Sequence, residues 1–317
     1  FGVDVQFLDS RLNLNFDYQM RNTDPLLVRI DMPTSTGAST APMNVGATDN
    51  RSISVRMTYY FFKQRDFNWY VSGNLNHNTT KYKKIGNLLE EYNERGQAST
   101  SLLRYYDNAS TTGVYAVRSA GIDPATGNEI FIKKDGSYTY EWKQSDEVLI
   151  GDSNPKVQGA FQTSLVYKGF SFGASFSYRV GGMISLSTLF NKVENMSASQ
   201  LKYNQDKRAL YDRWQKPGDR TDVPRFVLEQ GAGPQNSSRY IHSTDHIRLK
   251  NLTLGFTLPG RWVQKALIEN ARVYFSGSNL LTWAKWKQYD PEVPVNGEVF
   301  CEAPPMRTFN FGVEITF

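Results

Sequence analysis

The chain has little of what catalytic and metal-binding proteins draw on: one cysteine, Cys301, and three histidines, His77, His242 and His246, in 317 residues. A single thiol excludes an internal disulfide framework and a cysteine zinc site, and so few imidazoles leave thin material for metal chemistry. Long hydrophobic runs are missing too. Nothing approaches the roughly 18 consecutive apolar residues of a membrane-crossing helix, which excludes that helix but not a membrane, because a spanning β-strand needs only about ten residues with alternate positions apolar. Charge of one sign is nowhere concentrated: 36 Lys and Arg stand against 31 Asp and Glu, for a net +5 without a basic block. No nucleic-acid partner is expected from such a spread. The sequence holds no G-x-S-x-G, no phosphate-binding P-loop and no G-x-G-x-x-G, so neither catalytic residues nor a cofactor is expected.

What the chain does have is aromatic side chains, 14% of its residues, and strict alternation. The last ten residues set Phe309, Phe311, Val313, Ile315 and Phe317 on one face against Thr308, Asn310, Gly312, Glu314 and Thr316. Period-2 patterning of this kind is a strand with one apolar side. The same pattern recurs, giving nine segments near 1–8, 11–20, 45–62, 67–82, 156–168, 170–186, 240–258, 271–285 and 307–317. Their connections alternate between short and long, the long ones near 21–44, 83–155, 187–239 and 286–306. Tight turns at one end and large loops at the other mark an up-and-down membrane barrel, whereas a soluble sandwich has no reason to sort its loops.

The two faces agree with that solvent. A packed core favours aliphatic residues of varied size, but here the apolar face carries Tyr59, Phe61, Phe67, Trp69, Phe170, Phe172, Trp283 and Trp286 near segment ends, as in the aromatic girdles of a barrel. The opposite face, with Arg56, Arg179 and Arg272 among Asn, Ser and Thr, suits a wet lumen. One segment changes phase, from Ile247 and Leu249 to Leu252, Leu254, Phe256 and Leu258, and a β-bulge near Asn251 restores it. Nine strands leave open edges in hydrocarbon, and single-chain bacterial barrels have even strand numbers, so an odd number of strands is expected upstream of Phe1. The absence of an initiator Met fits the back end of a longer precursor.

The long loops carry their own structure. Gly121 to Glu129 reads as a tight turn, followed by Ile130 and Ile132 and then Tyr138, Tyr140 and Trp142 around an Asp135-Gly136 hairpin. A helix capped by Ser197 or Ser199 is expected to run to about Trp214, with Leu201, Leu210, Tyr211 and Trp214 on one face. Asp123, Thr126, Asn128 and Glu129 offer oxygens without meeting a calcium-loop pattern and read as a plain turn. His242 and His246, four apart on a strand, read as loop or lumen residues, and Glu90-Glu91 as a solvated pair.

Several stretches together resemble the C-terminal part of the SusC/RagA-type TonB-linked outer-membrane transporters: Gly151 to Gly159, Arg213-Trp214 with Thr221 to Arg225, Asp245 to Pro259, Asn279 to Trp283 leading to Tyr289-Asp290-Pro291-Glu292, and Arg307 to Phe317. The loop with Gly297, Cys301 and Pro304-Pro305 departs from that pattern. The resemblance implies an all-β transmembrane antiparallel barrel of 22 strands, of which residues 1–317 form about nine at the C-terminal end, with the plug and N-terminal regions outside this sequence. It implies import of a glycan or peptide across the outer membrane of a Gram-negative bacterium, a SusD-like surface lipoprotein as lid, and TonB acting through the missing N-terminal region. Loop aromatics Tyr105, Tyr106, Tyr138, Tyr140, Trp142 and Trp214 are candidates for substrate contact. Phe317, Ile315 and Gly312 are candidates for the signal read by barrel-assembly machinery. The alternatives are an outer-membrane barrel hydrolase, which would need Ser, His and an acid converging at one rim, and a siderophore or cofactor receptor.

Overall fold

A computed structural model describes the chain except residues 33, 86–88, 90–92, 94–101, 197–201, 228–234, 264–266, 288 and 293–304. The capping serines, the Glu90-Glu91 pair and the Gly297 to Pro304 stretch therefore lie outside the described residues. The alternating segments form one antiparallel sheet of nine strands in sequence order. They are β1 (Gly2–Phe7), β2 (Leu12–Thr23), β3 (Ala47–Lys63), β4 (Phe67–Lys83), β5 (Val157–Tyr167), β6 (Phe170–Val180), β7 (His246–Thr257), β8 (Asn270–Ala284) and β9 (Thr308–Thr316).

Register turns the alternation into continuous apolar rows. One runs Val3, Phe16, Val55, Leu75, Gly159, Tyr178, Ile247 and Trp283 across eight strands. The next runs Val5, Leu14, Met57, Gly73, Phe161, Phe176, Leu249 and Leu281. Along β6 the rows pass through Phe170, Phe172, Ala174, Phe176, Tyr178 and Val180. Ten steps of about 3.3 Å, tilted by roughly 40°, give a band about 25 Å tall, the height of a barrel's lipid-facing belt. At the tight-turn end Phe62 stacks on Phe67 at 4.3 Å, Phe61 on Trp69 at 4.2 Å, and Phe67 meets Tyr167 edge-on at 5.4 Å. That cluster is a girdle.

The opposite face pairs polar residues, for instance Asp4, Asn15, Arg56, Asn74, Ala160, Ser177, Arg248 and Thr282 in one row. The phase change in β7 is resolved as expected: register shifts at Lys250 against β6 and between Leu249 and Asn251 against β8. The extra residue lets His246 and Arg248 share a face with Asn251, Thr253 and Gly255 while Leu249 and Leu252 both stay on the apolar side. Tight turns use the conformations their residues permit. Lys168 and Gly169 both have positive φ, 43° and 90°, in the two-residue connection of β5 to β6.

Burial is inverted relative to a soluble fold. On strands flanked on both sides, Met57, Ile247 and Leu281 of the apolar face are 45%, 43% and 49% exposed, whereas the buried clusters lie in the long loops. Glu147–Asp152, Gly113–Ile122, Glu129–Ile132 and Tyr138–Thr139 make a four-stranded loop sheet in that spatial order, which includes the expected hairpin around Asp135-Gly136. Val114 and Ala116 of that sheet pack against Ile241 and Met183 of a ribbon pairing Met183–Ser185 with Ile241–Ser243. These loop segments form a packed layer of their own above the wall.

Two expectations are corrected. The helix toward Trp214 shrinks, among the described residues, to the single turn Arg208–Tyr211. Asp206 accepts from Arg208 N, and beyond the turn Trp214 N bonds to Val223 O and Arg213 bridges in parallel to Val223, so the chain leaves the helix to join a neighbouring segment. Leu210 and Tyr211, placed on an apolar face by the helical reading, are 63% and 76% exposed. Trp286 is not a girdle residue: it stacks on His242 at 3.9 Å inside the loop layer, while Trp283 keeps its place on the apolar row.

Candidate vestibule above the barrel

The loop layer is held by charge-assisted bonds buried among its segments. Arg239 lies in the turn Ser238–Tyr240, whose preceding Ser237 caps it by accepting from Arg239 N. Its guanidinium donates to Glu194 at 2.7 and 2.6 Å and to Glu129 at 3.1 Å. Tyr240 donates to Glu194 and Ser237 to Glu129, each at 2.5 Å. One arginine thereby joins the four-stranded loop sheet to the Leu189–Glu194 helical turn. Burial pushes the Glu194 carboxyl above its usual range in spite of Arg239, and burial raises the Tyr240 phenol well above its own.

Beside this junction opens a hollow of about 710 Å³, lined among others by Leu189, Tyr211, Arg220, Asp222, His242 and Trp286. His242 is pushed down to about 4, first by burial, so its ring is neutral at physiological pH. Arg239 Nε, His242 Nε2 and Trp286 Nε1 are buried without a hydrogen-bond partner among the described residues. A smaller hollow of about 320 Å³ lies between Ala120, Ile130, Tyr138, Thr139 and Tyr140.

A second polar cluster fastens the last long loop to the wall. Arg248, on the inner face of β7 and 2% exposed, pairs with Asp290 and Glu292. Lys250 also bonds Glu292, Ser177 donates to it at 2.7 Å, and His246 Nε2 lies 3.5 Å from it. Burial would raise the Glu292 carboxyl, but the bonds from His246, Lys250 and Ser177 hold it well below the usual range.

The six aromatic candidates are scattered rather than convergent. Tyr105 lies 5.4 Å from Tyr82 and takes both backbone bonds of the Asn93 amide, and Tyr106 packs on Tyr115 at 5.5 Å. Trp142 donates its indole N–H to Asn236 O and Trp214 to Pro124 O, both at 2.9 Å. The Trp214 ring also covers Gly127, whose positive φ of 72° closes the Gly121 to Glu129 turn. Tyr138 and Tyr140 share the smaller hollow, and Tyr140 donates to Asp123. Asp123 accepts in addition from Ala125 N and Thr126 Oγ1, a turn and not a cation loop; no metal-holding group of residues occurs among the described residues. Sequence reading missed the Trp286–His242 stack and the Arg239 junction.

Gly312, a candidate for assembly recognition, has a second reason to be glycine. The outer edge of the Tyr274 ring of β8 lies against it, so a side chain there would collide with the ring. Phe317 and Ile315 end the apolar row, 86% and 47% exposed.

A sheet with a lipid-height apolar band, a polar inner face and a packed loop layer at one end is part of a transmembrane β-barrel. No family model matches the chain. Along its whole length it is 28% identical to TonB-dependent receptor P3 of Formosa agariphila and 25% identical to the TonB-dependent receptor SusC of Bacteroides thetaiotaomicron, covering 33% and 31% of those proteins. It superposes in full on 34% of a chain of the RagAB peptide transporter with a TM-score of 0.78 and 26% identity. The chain spans about a third of the length of the relatives it matches. In sequence and in fold it is similar throughout to the SusC/RagA type of TonB-dependent transporter, and its nine strands form a fragment of a transmembrane β-barrel.

Proposed function

We propose that this chain is the C-terminal wall and extracellular vestibule of a TonB-dependent importer in the outer membrane of a Gram-negative bacterium. The carrying observation is that its likeness to SusC and to the RagAB transporter runs through wall and loops alike. The cargo is a nutrient oligomer, a peptide or a glycan, admitted through the loop layer 83–155 and 187–239. A SusD-like surface lipoprotein covers that layer, and TonB acts through a region outside residues 1–317. Tyr138 and Tyr140, exposed on their shared hollow, are the sequence candidates best placed to touch cargo. Phe317 and Ile315 serve the assembly machinery. The chain does no covalent chemistry in this reading, in keeping with relatives that are receptors and transporters.

The test is uptake. A strain lacking the full gene should lose import of labelled peptides or oligosaccharides, and regain it from a plasmid copy only when TonB is functional. Cleavage of those oligomers by the purified protein, or uptake indifferent to TonB, would overturn the reading.

A further inference from the structure

Tryptophans in the loop layer are placed in two different ways. Trp142 and Trp214, half-buried like Trp286, each have the indole N–H bonded to a backbone carbonyl, which ties the ring into the loop structure. Trp286 is placed by stacking alone: its ring lies 15° from parallel with His242 at 3.9 Å, and its N–H is buried without a partner among the described residues. Leaving that donor and His242 Nε2 unbonded costs stability, and such exceptions call for an explanation other than packing. Trp286 is half-buried and, unlike Trp142 and Trp214, lines the hollow of about 710 Å³, a size typical of ligand sites. Beneath it, a neutral imidazole backs the indole without adding charge.

The surroundings specify what would lie on that ring. The hollow's lining carries both signs, Arg220 with Asp212 and Asp222, and Arg220 has no ion-pair or hydrogen-bond partner among the described residues. A neutral glycan would leave these charges unanswered, whereas a peptide brings its own ammonium and carboxylate groups. We propose that Trp286, backed by His242, is a stacking platform for an aromatic side chain of a peptide held in this hollow, with the charged lining meeting the peptide's charges. The inference rests on the importer reading and assigns its cargo class.

The experiment uses the full-length transporter in detergent, incubated with a tryptic digest of casein, and reads retained peptides by mass spectrometry. Wild type should enrich peptides containing Phe, Tyr or Trp by about three- to tenfold over input, the range that an aromatic pair supplies. Trp286→Ala should lose the enrichment while retaining other peptides, and Trp286→Phe should keep most of it. A second arm needs no variant: a retained peptide and its Phe-to-Ala counterpart should differ in affinity for wild type by the same factor. Retention without aromatic bias, or a bias unchanged in Trp286→Ala, would overturn the platform and leave the importer reading standing. Retention of no peptide, with maltoheptaose bound through Trp286 instead, would overturn the peptide assignment. Retention of neither probe would overturn the platform, and uptake indifferent to TonB would overturn the importer reading with it.

Discussion

Arg248 donates to both carboxylate oxygens of Asp290, at 2.6 and 2.5 Å, from a position almost wholly buried on the inner face of the wall. Its other terminal nitrogen reaches Glu292 at 2.8 Å and its Nε reaches Thr282 at 3.0 Å, so one side chain ties the last long loop to two strands. The loop's first described turn is therefore a fixed post beside the lumen.

Removing the cation should leave two carboxylates in a site built for it. Arg248→Met is expected to cost about 3 to 5 kcal/mol, the usual effect of breaking one side of a buried pair. Arg248→Lys should restore only part, because an ammonium cannot make the forked contact. Heat-modifiability of the full barrel on gels, read as a midpoint temperature, checks the order wild type, Lys, Met.

The Tyr274 ring against Gly312 predicts a size limit on the inner face of β9. Gly312→Val should destabilise by about 1 to 3 kcal/mol through overpacking. Tyr274→Ala should relieve much of that in the double variant, and the coupling in a double-mutant cycle is the measurement. Additive losses would show that the ring sets no size limit at Gly312.

Acid should act on the loop layer before the wall. His242 is held down to about 4 from an ordinary 6.5, chiefly by burial, so between those values the unfolded chain binds a proton that the folded one does not. Stability then falls as pH drops from about 6.5 to 4. Glu292, depressed by its bonds, contributes stability that is present above its unfolded value near 4.5 and lost as pH falls below it. The upper part of the decline should vanish in His242→Gln and the lower part in Glu292→Gln, in thermal midpoints measured from pH 7 to 3.

Sequence and structure agree best where one rule acts alone. Lipid enforces alternation along β5 and β9, so those strands could be placed within a residue or two, whereas the segment read as 170–186 ends as wall at Val180 and its remainder joins the loop ribbon; even the bulge at Lys250 left its mark as a phase change between Leu249 and Leu252. Tertiary partners decide the rest. Trp283 and Trp286 look alike three residues apart, but one ends a lipid-facing row and the other leaves the strand to stack on a histidine 44 positions earlier in the chain. The helix toward Trp214 failed for the same reason: the helical spacing of Leu210 and Trp214 carries no information about the Arg213 to Val223 bridge that unwinds it. Buried junctions such as Arg239 with Glu129 and Glu194 join residues separated by 110 and 45 positions and leave no local pattern.

The central claim is that hydrocarbon touches every second side chain of these strands. Spin labels placed singly at 308 to 316 of the full-length protein in bilayers, with Cys301 replaced by Ser, test it through collision with oxygen and with a water-soluble nickel chelate. Positions 309, 311, 313 and 315 should favour oxygen, while 308, 310, 314 and 316 favour nickel, in a two-residue oscillation. Equal accessibility at neighbouring positions, or nickel reaching Phe311 and Val313 as readily as Asn310, would contradict the account.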